Sequence, residues 1–171
     1  MEKHLDAEDM VCGIVAGEVA AEVVYRDRHV IAFLDHRPVF KGHVLVCPVP
    51  HVDTFTDLPA PLVAPLFTLV QRVAVAVRDA LGAQGTFTAI NTVVSQSVPH
   101  LHVHVVPRTK GDGLRGFFCP RTPYEGPEHA AEVAAHLATT PDTGLADDEA
   151  QRRLALHGAN ELAEGVRRSP W

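Results

Sequence analysis

Three histidines at alternate positions, His100, His102 and His104, stand in the segment Pro99-His-Leu-His-Val-His-Val-Val-Pro107. In an extended chain, alternation puts all three on one face, successive ones roughly 6.6 Å apart at a rise of ~3.3 Å per residue. Leu101, Val103 and Val105 then face the other way, into a core. A merely polar, solvated strand face is one reading, but three alternating imidazoles are an uncommon way to make a surface polar. Metal binding is a second, because two histidines at i and i+2 can both reach a zinc ion. Three on a flat strand diverge too far to chelate a single ion easily. The third reading is nucleophilic catalysis at phosphorus. A neutral imidazole attacks in line while flanking donors carry the charge that develops on the oxygens. The middle residue, His102, is then the nucleophile, with a histidine on each side.

Such a strand needs a sheet to carry it. Glu22–Tyr25 and His29–Leu34 read as strands around an Asp27-Arg28 turn, and His43–Val49 is a third, closed by Pro48 and Pro50. Thr86–Asn91 and Leu101–Val106 complete a set of five. Leu62, Leu66, Leu69, Val73, Val77 and Leu81 recur at helical spacing up to Gly82, with Pro61 and Pro65 blurring the start. Cys12–Gly17 reads as a short helical turn or loop. The expectation is an α+β domain with a five-stranded antiparallel sheet, one long helix and one short one.

The chain's 171 residues, 46% of them hydrophobic and 21% charged, suit one domain with an appendage and can bury a core. A net charge of −6 is no match for nucleic acid or an anionic membrane, so phosphate must be held by local groups. The stretch Leu62–Val70 is too short to span a bilayer, and the polar Met1–Asp9 argues against a secretory signal. Three separated cysteines, Cys12, Cys47 and Cys119, favour a reducing, cytoplasmic setting over a disulfide framework.

The histidine segment resembles the signature of the histidine triad (HIT) nucleotide-binding proteins. The resemblance extends over Cys12–Glu18, Ala32–Pro38, Gly42–Pro48 with His51, and Asn91 through Gln96-Ser97-Val98. It implies the HIT fold, commonly a homodimer, and a hydrolase or transferase acting at the α-phosphate of dinucleoside polyphosphates or nucleoside phosphoramidates. His102 would form a nucleotidyl-histidine that water hydrolyses, with no cofactor for the chemistry. His104 would contact the phosphate, and Ser97 and Gln96 would bond phosphate or leaving group. Asp35 would hold the ribose hydroxyls, Asn91 sugar or phosphate, and Phe33 would pack near the base. The bland alternatives are a turn role for Asp35 and plain core for Phe33. Two other classes stay open: a nucleotide-binding regulatory module without turnover, and a metal-dependent hydrolase with the histidines as ligands.

Many bacterial HIT proteins hold a structural zinc through an N-terminal Cys-x-x-Cys, a histidine after the third strand and the first triad histidine. By that resemblance the ligands here would be Cys12, His51 and His100, with Asp9 at the first cysteine's place; the alternative is a lost site with Cys12 buried. The tail, Gly144–Leu162, resembles the N-terminal motif of P-type cation-transporting ATPases. The expected organisation is an arm over 1–10, a HIT domain over 11–108, its extension over 109–138, a linker over 139–145 and a helical tail over 146–171.

Overall fold

A computed structural model describes residues 9–114 and four single positions beyond them, Glu128, Val133, Ala135 and Arg152. The chain divides after Asp112 into two units, and every element below belongs to the first. Most of the expected arm, the extension beyond 114, the linker and the tail, Cys119 included, lie outside the described residues.

Five strands, β1 (Val23–Arg26), β2 (Val30–Leu34), β3 (Val44–Pro48), β4 (Gly85–Ala89) and β5 (Val103–Arg108), form one sheet in the order β1-β2-β3-β5-β4. Every pairing is antiparallel. Strand alternation sorts the side chains between two layers. Val30, Ala32, Val44, Val46, Val103 and Val105 bury against the helix α2 (Ala60–Leu81). Their neighbours Ile31, Phe33, Leu45 and Cys47 bury on the opposite side with Val11 and Ile14 of the short helix α1 (Met10–Ala16).

α2 presents Leu62, Leu66, Leu69, Val70, Val73 and Val77 as one buried stripe, the face that the spacing of apolar residues predicts. Leu66 is fully buried, and truncating such a leucine to alanine costs about 2–5 kcal/mol. Pro61 falls in the first turn, where its missing N–H is not needed. Gly82, at φ 64°, ends the helix in the left-handed cap. By length and composition α2 could also cross a bilayer; here its apolar stripe lies on the sheet.

β5 begins two residues later than the sequence suggests. Its partner β3 ends at Pro48, which has no N–H to donate, and the Leu101 N–H turns instead to the Val52 carbonyl at 2.7 Å. His100 and His102 therefore precede the strand, and only His104 lies within it.

Candidate active site

β5 pairs Leu45 with His104. Leu45 faces α1, so His104 does too, while Val103 and Val105 face α2. His102, two residues earlier, keeps the same parity, and its ring centroid lies 4.9 Å from that of His104. The His102 Nδ1–H donates to the His100 carbonyl at 2.7 Å, and the residue is 5% exposed. That bond assigns the tautomer: the proton is on Nδ1 and the lone pair is on Nε2.

His100 belongs to a different group. Its Nε2 lies 2.9 Å from the Pro48 carbonyl, and its Nδ1 lies 3.1 Å from Asp9 Oδ2 and 3.6 Å from Cys12 Sγ, so both ring nitrogens face oxygen acceptors. His51 is placed alike: its Nε2 lies 2.6 Å from Asp53 Oδ1, and its Nδ1 lies 2.8 Å from Asp9 Oδ2 and 3.4 Å from Cys12 Sγ. The four ligand atoms all fall within 4.8 Å of one another. Tetrahedral zinc bonds of about 2.0–2.3 Å imply ligand separations of roughly 3.3–3.8 Å. Fixing each imidazole by an oxygen acceptor on its far nitrogen is how metal-binding histidines are oriented. The donor set therefore fits a zinc ion.

Asp9 has a second task. Its Oδ1 accepts from the Val11 and Cys12 N–H groups and so caps α1. Burial alone would raise its carboxyl, but hydrogen bonds from Cys12 and His100 outweigh burial and bring it down to about 2. Burial drives the Cys47 thiol up, so it stays protonated and inert in the α1-side core.

His104 meets a residue that sequence reasoning missed. His43 Nε2 and His104 Nδ1 lie 3.0 Å apart. The other His43 nitrogen, Nδ1, sits between the Val39 N–H at 3.3 Å and Asp35 Oδ2 at 3.2 Å. Gly42, at φ 90°, makes the turn that delivers His43; a Cβ there would run into Leu81 Cδ1. Burial, followed by the repulsion of a charged His102, lowers the pKa of His104 to about 4, with Asp35 opposing. Burial likewise lowers His43. Both rings are neutral near pH 7. Parity could have revealed His43, since His43, Leu45 and Cys47 alternate onto the same face as His104.

The remaining expected residues divide. Asp35 lies beside His43 and also holds its turn, Oδ1 accepting the Arg37 N–H at 2.8 Å. Phe33 is 2% exposed in the α1-side core. Ser97 and Asn91 are exposed on the loop that leads to the histidines. Gln96 is engaged elsewhere: its Nε2–H groups donate to the carbonyls of Asp53 (2.6 Å) and Val98 (3.0 Å), and its Oε1 accepts the Val93 N–H (2.9 Å). Among the described residues the three triad imidazoles form no common ligand group. His100 clusters with Asp9, Cys12 and His51, and His104 with Asp35 and His43.

Comparison with known proteins identifies the family and its fold. The HIT domain model matches residues 16–111, and a model described as cation transporter/ATPase, N-terminus, matches residues 128–171. A crystal structure of a HIT-family protein from Bacillus subtilis superposes with a TM-score of 0.70 at 34% identity, covering 76% of this chain and 94% of that one. A zinc-bound histidine triad family protein from Mycobacterium smegmatis is 38% identical, with a TM-score of 0.60 and coverage of 76% and 93%. A bis(5'-nucleosyl)-tetraphosphatase (asymmetrical) from Schizosaccharomyces pombe is 36% identical over 96 residues, 55% of this chain and 53% of that one. The domain match spans more than half of the chain and contains the whole antiparallel sheet and all three alternating histidines, and on these grounds the chain belongs to the HIT family.

Proposed function

We propose that this protein cleaves nucleotides at the α-phosphate, taking dinucleoside polyphosphates or nucleoside phosphoramidates, with His102 as nucleophile. The observation that carries this reading is the 2.7 Å bond from His102 Nδ1–H to the His100 carbonyl. It leaves Nε2 with its lone pair, and it stabilises the cationic ring that forms when Nε2 bonds to phosphorus. The S. pombe relative, named as a tetraphosphatase, supports the substrate class.

In the first half-reaction Nε2 attacks the α-phosphorus in line, a P–N bond to His102 forms, and the bond to the leaving group breaks, P–O in a dinucleoside polyphosphate and P–N in a phosphoramidate. A departing polyphosphate leaves as an anion, whereas the amine of a phosphoramidate takes a proton as it leaves, which the Nε2–H of neutral His104 supplies. When His43 Nδ1 accepts from Val39, the His43 Nε2–H donates to His104 Nδ1 and the proton of neutral His104 lies on its Nε2. In that form His104 donates to a phosphoryl oxygen. For the pair to reverse, His104 gives its Nε2 proton to the departing group or to solvent, the His43 Nε2 proton crosses to His104 Nδ1, and a solvent proton arrives at His43 Nδ1, which then donates to Asp35; His104 Nε2 becomes an acceptor. His104 then takes the proton of the attacking water, the water oxygen bonds phosphorus, and the P–N electron pair returns to His102. Asp35 keeps spare lone pairs for ribose hydroxyls, Ser97 and Asn91 line the approach, and Phe33 forms the floor beneath the base.

Zinc held by Asp9, Cys12, His51 and His100 would cross-link α1 to the segment that carries His102. All four donors come from protein, a structural arrangement that leaves no open position, and catalysis would require no added metal. A homodimer is part of the same reading, supported by the exposed apolar Val63, Phe67 and Val75 on the outward side of α2. Acid-quenched single turnovers with a substrate labelled in the α-phosphate test the chemistry. Wild type should carry label covalently on the protein and His102→Ala should carry none while still binding AMP. Label that persists in His102→Ala would remove it as the nucleophile.

A further inference from the structure

Residues 92–98 hold a backbone that needs explaining. Val93 (φ 62°) and Ser95 (φ 63°) are the two non-glycine residues with positive φ among the described residues. A β-branched residue in the left-handed region is disfavoured and persists only where its surroundings over-determine it. Gln96 supplies that constraint. It ties the Val93 N–H, the Val98 carbonyl and the Asp53 carbonyl through both faces of one side-chain amide. Asp53, whose backbone anchors Gln96, uses its carboxylate to receive the His51 Nε2–H. A continuous path therefore runs from the Asp9/Cys12/His51/His100 cluster through Asp53 and Gln96 to the loop that carries Ser97.

We infer that Gln96 and Asp53 are positioning residues that couple the metal cluster to the phosphate loop, so that divalent metal and nucleotide each tighten the binding of the other. The inference rests on the proposed nucleotide and zinc sites. Gln96 does not itself meet the phosphate: its donors and its acceptor are already committed to backbone. It holds the loop in the shape in which Ser97 and the neighbouring N–H groups can do so. Metal on His51 fixes the ring that orients Asp53, Asp53 fixes Gln96, and Gln96 fixes the loop. Coupling between two binding equilibria is reciprocal, so nucleotide must change metal affinity by the same factor as metal changes nucleotide affinity.

The test measures zinc affinity of the full-length protein by competition with a chromogenic chelator, with and without saturating AMP. In wild type, AMP should tighten zinc by about fivefold or more, the lower end of common coupling strengths. Gln96→Met, similar in length but unable to make the three bonds, should still bind zinc and bring the ratio to one. Asp53→Ala should do the same, whereas Asp53→Asn, which keeps an oxygen acceptor for His51, should retain most of it. A merely structural glutamine would lower thermal stability and leave the ratio intact, and that result overturns the proposal. If wild type binds both ligands with a ratio of one, the coupling fails and the sites stand. If wild type binds no zinc or no AMP, the site reading fails and takes the coupling with it.

Discussion

His100 and His104 stand four residues apart on one segment, yet their partners put the same ring to different uses. Around His100 and His51 the far nitrogens are tied to oxygen acceptors, the Pro48 carbonyl and the Asp53 carboxylate. With a metal ion on the inward side those acceptors would take the Nε2–H groups, and both Nδ1 lone pairs would point to the ion beside Asp9 and Cys12. Around His104 the partner is another imidazole, 3.0 Å away. Nitrogen facing nitrogen admits either tautomer, and the proton's place is set further out by whether His43 turns to Val39 or to Asp35. A ring with a fixed proton suits a ligand, and a ring whose proton can change ends suits the two halves of a hydrolysis. His102, between them, is held by a carbonyl, and the bond leaves its Nε2 lone pair for the proposed attack on phosphorus.

The largest effect should come from breaking the fixed side. Asp9→Ala removes a helix cap, worth about 1 kcal/mol, and a metal ligand at once. At zinc near 100 times its Kd, wild type should gain about 2.7 kcal/mol of stability; Asp9→Ala should gain little. Asp9→Asn retains a side-chain oxygen for the cap and loses the charge, so it should recover the cap contribution but not the zinc increment. Urea titrations with and without zinc separate the two. Equal zinc responses in wild type and both variants would show that Asp9 is a cap alone.

The mobile side should break differently. His43→Leu leaves His104 neutral but without the partner that reverses its tautomer. Turnover should fall on the order of 10²-fold, the scale of a lost general base, chiefly in the water step. Pre-steady-state kinetics should then show a burst of leaving group followed by slow hydrolysis. A uniform slowing with no burst would place His43 in the first half-reaction instead.

Much of this was legible in the sequence, for reasons that also mark where legibility ends. Alternation in His100–Val105 and in Val30–Phe33 identifies faces because parity is a property of the strand itself. Leu62–Val77 shows its face for the same reason at helical spacing. The early start expected for β5 fails because Pro48, on another strand, ends the ladder. His43 meets His104 across 61 residues of chain and Gln96 meets Asp53 across 43. Those meetings depend on strand register and on the path of a loop, which local pattern does not encode. Gln96 bonds the backbone of Asp53, Val93 and Val98 beside left-handed Val93 and Ser95, a role that residue types alone do not announce.

The smallest effect expected is on the pH dependence of stability, where the titration of His104 can be isolated. Unfolded histidine titrates near pH 6.5, and in the fold His104 is brought down to about 4 by burial and by its histidine neighbours. Its neutral form is therefore favoured in the native state. Above pH 6.5 neither state is protonated and the residue leaves stability unchanged with pH. As pH falls from 6.5 toward 4, the unfolded chain takes up a proton that the folded chain refuses, so stability declines across that window and levels off below it. Solvent reaches part of the ring and screens the effect. His104→Gln, which does not titrate, should flatten the slope of unfolding free energy between pH 6.5 and 4 relative to wild type, in urea titrations run in chelator so that metal release does not contribute. An identical slope in the variant would mean that the fold does not depress the titration of His104, and the neutral His43–His104 pair on which the tautomer exchange depends would have to be given up.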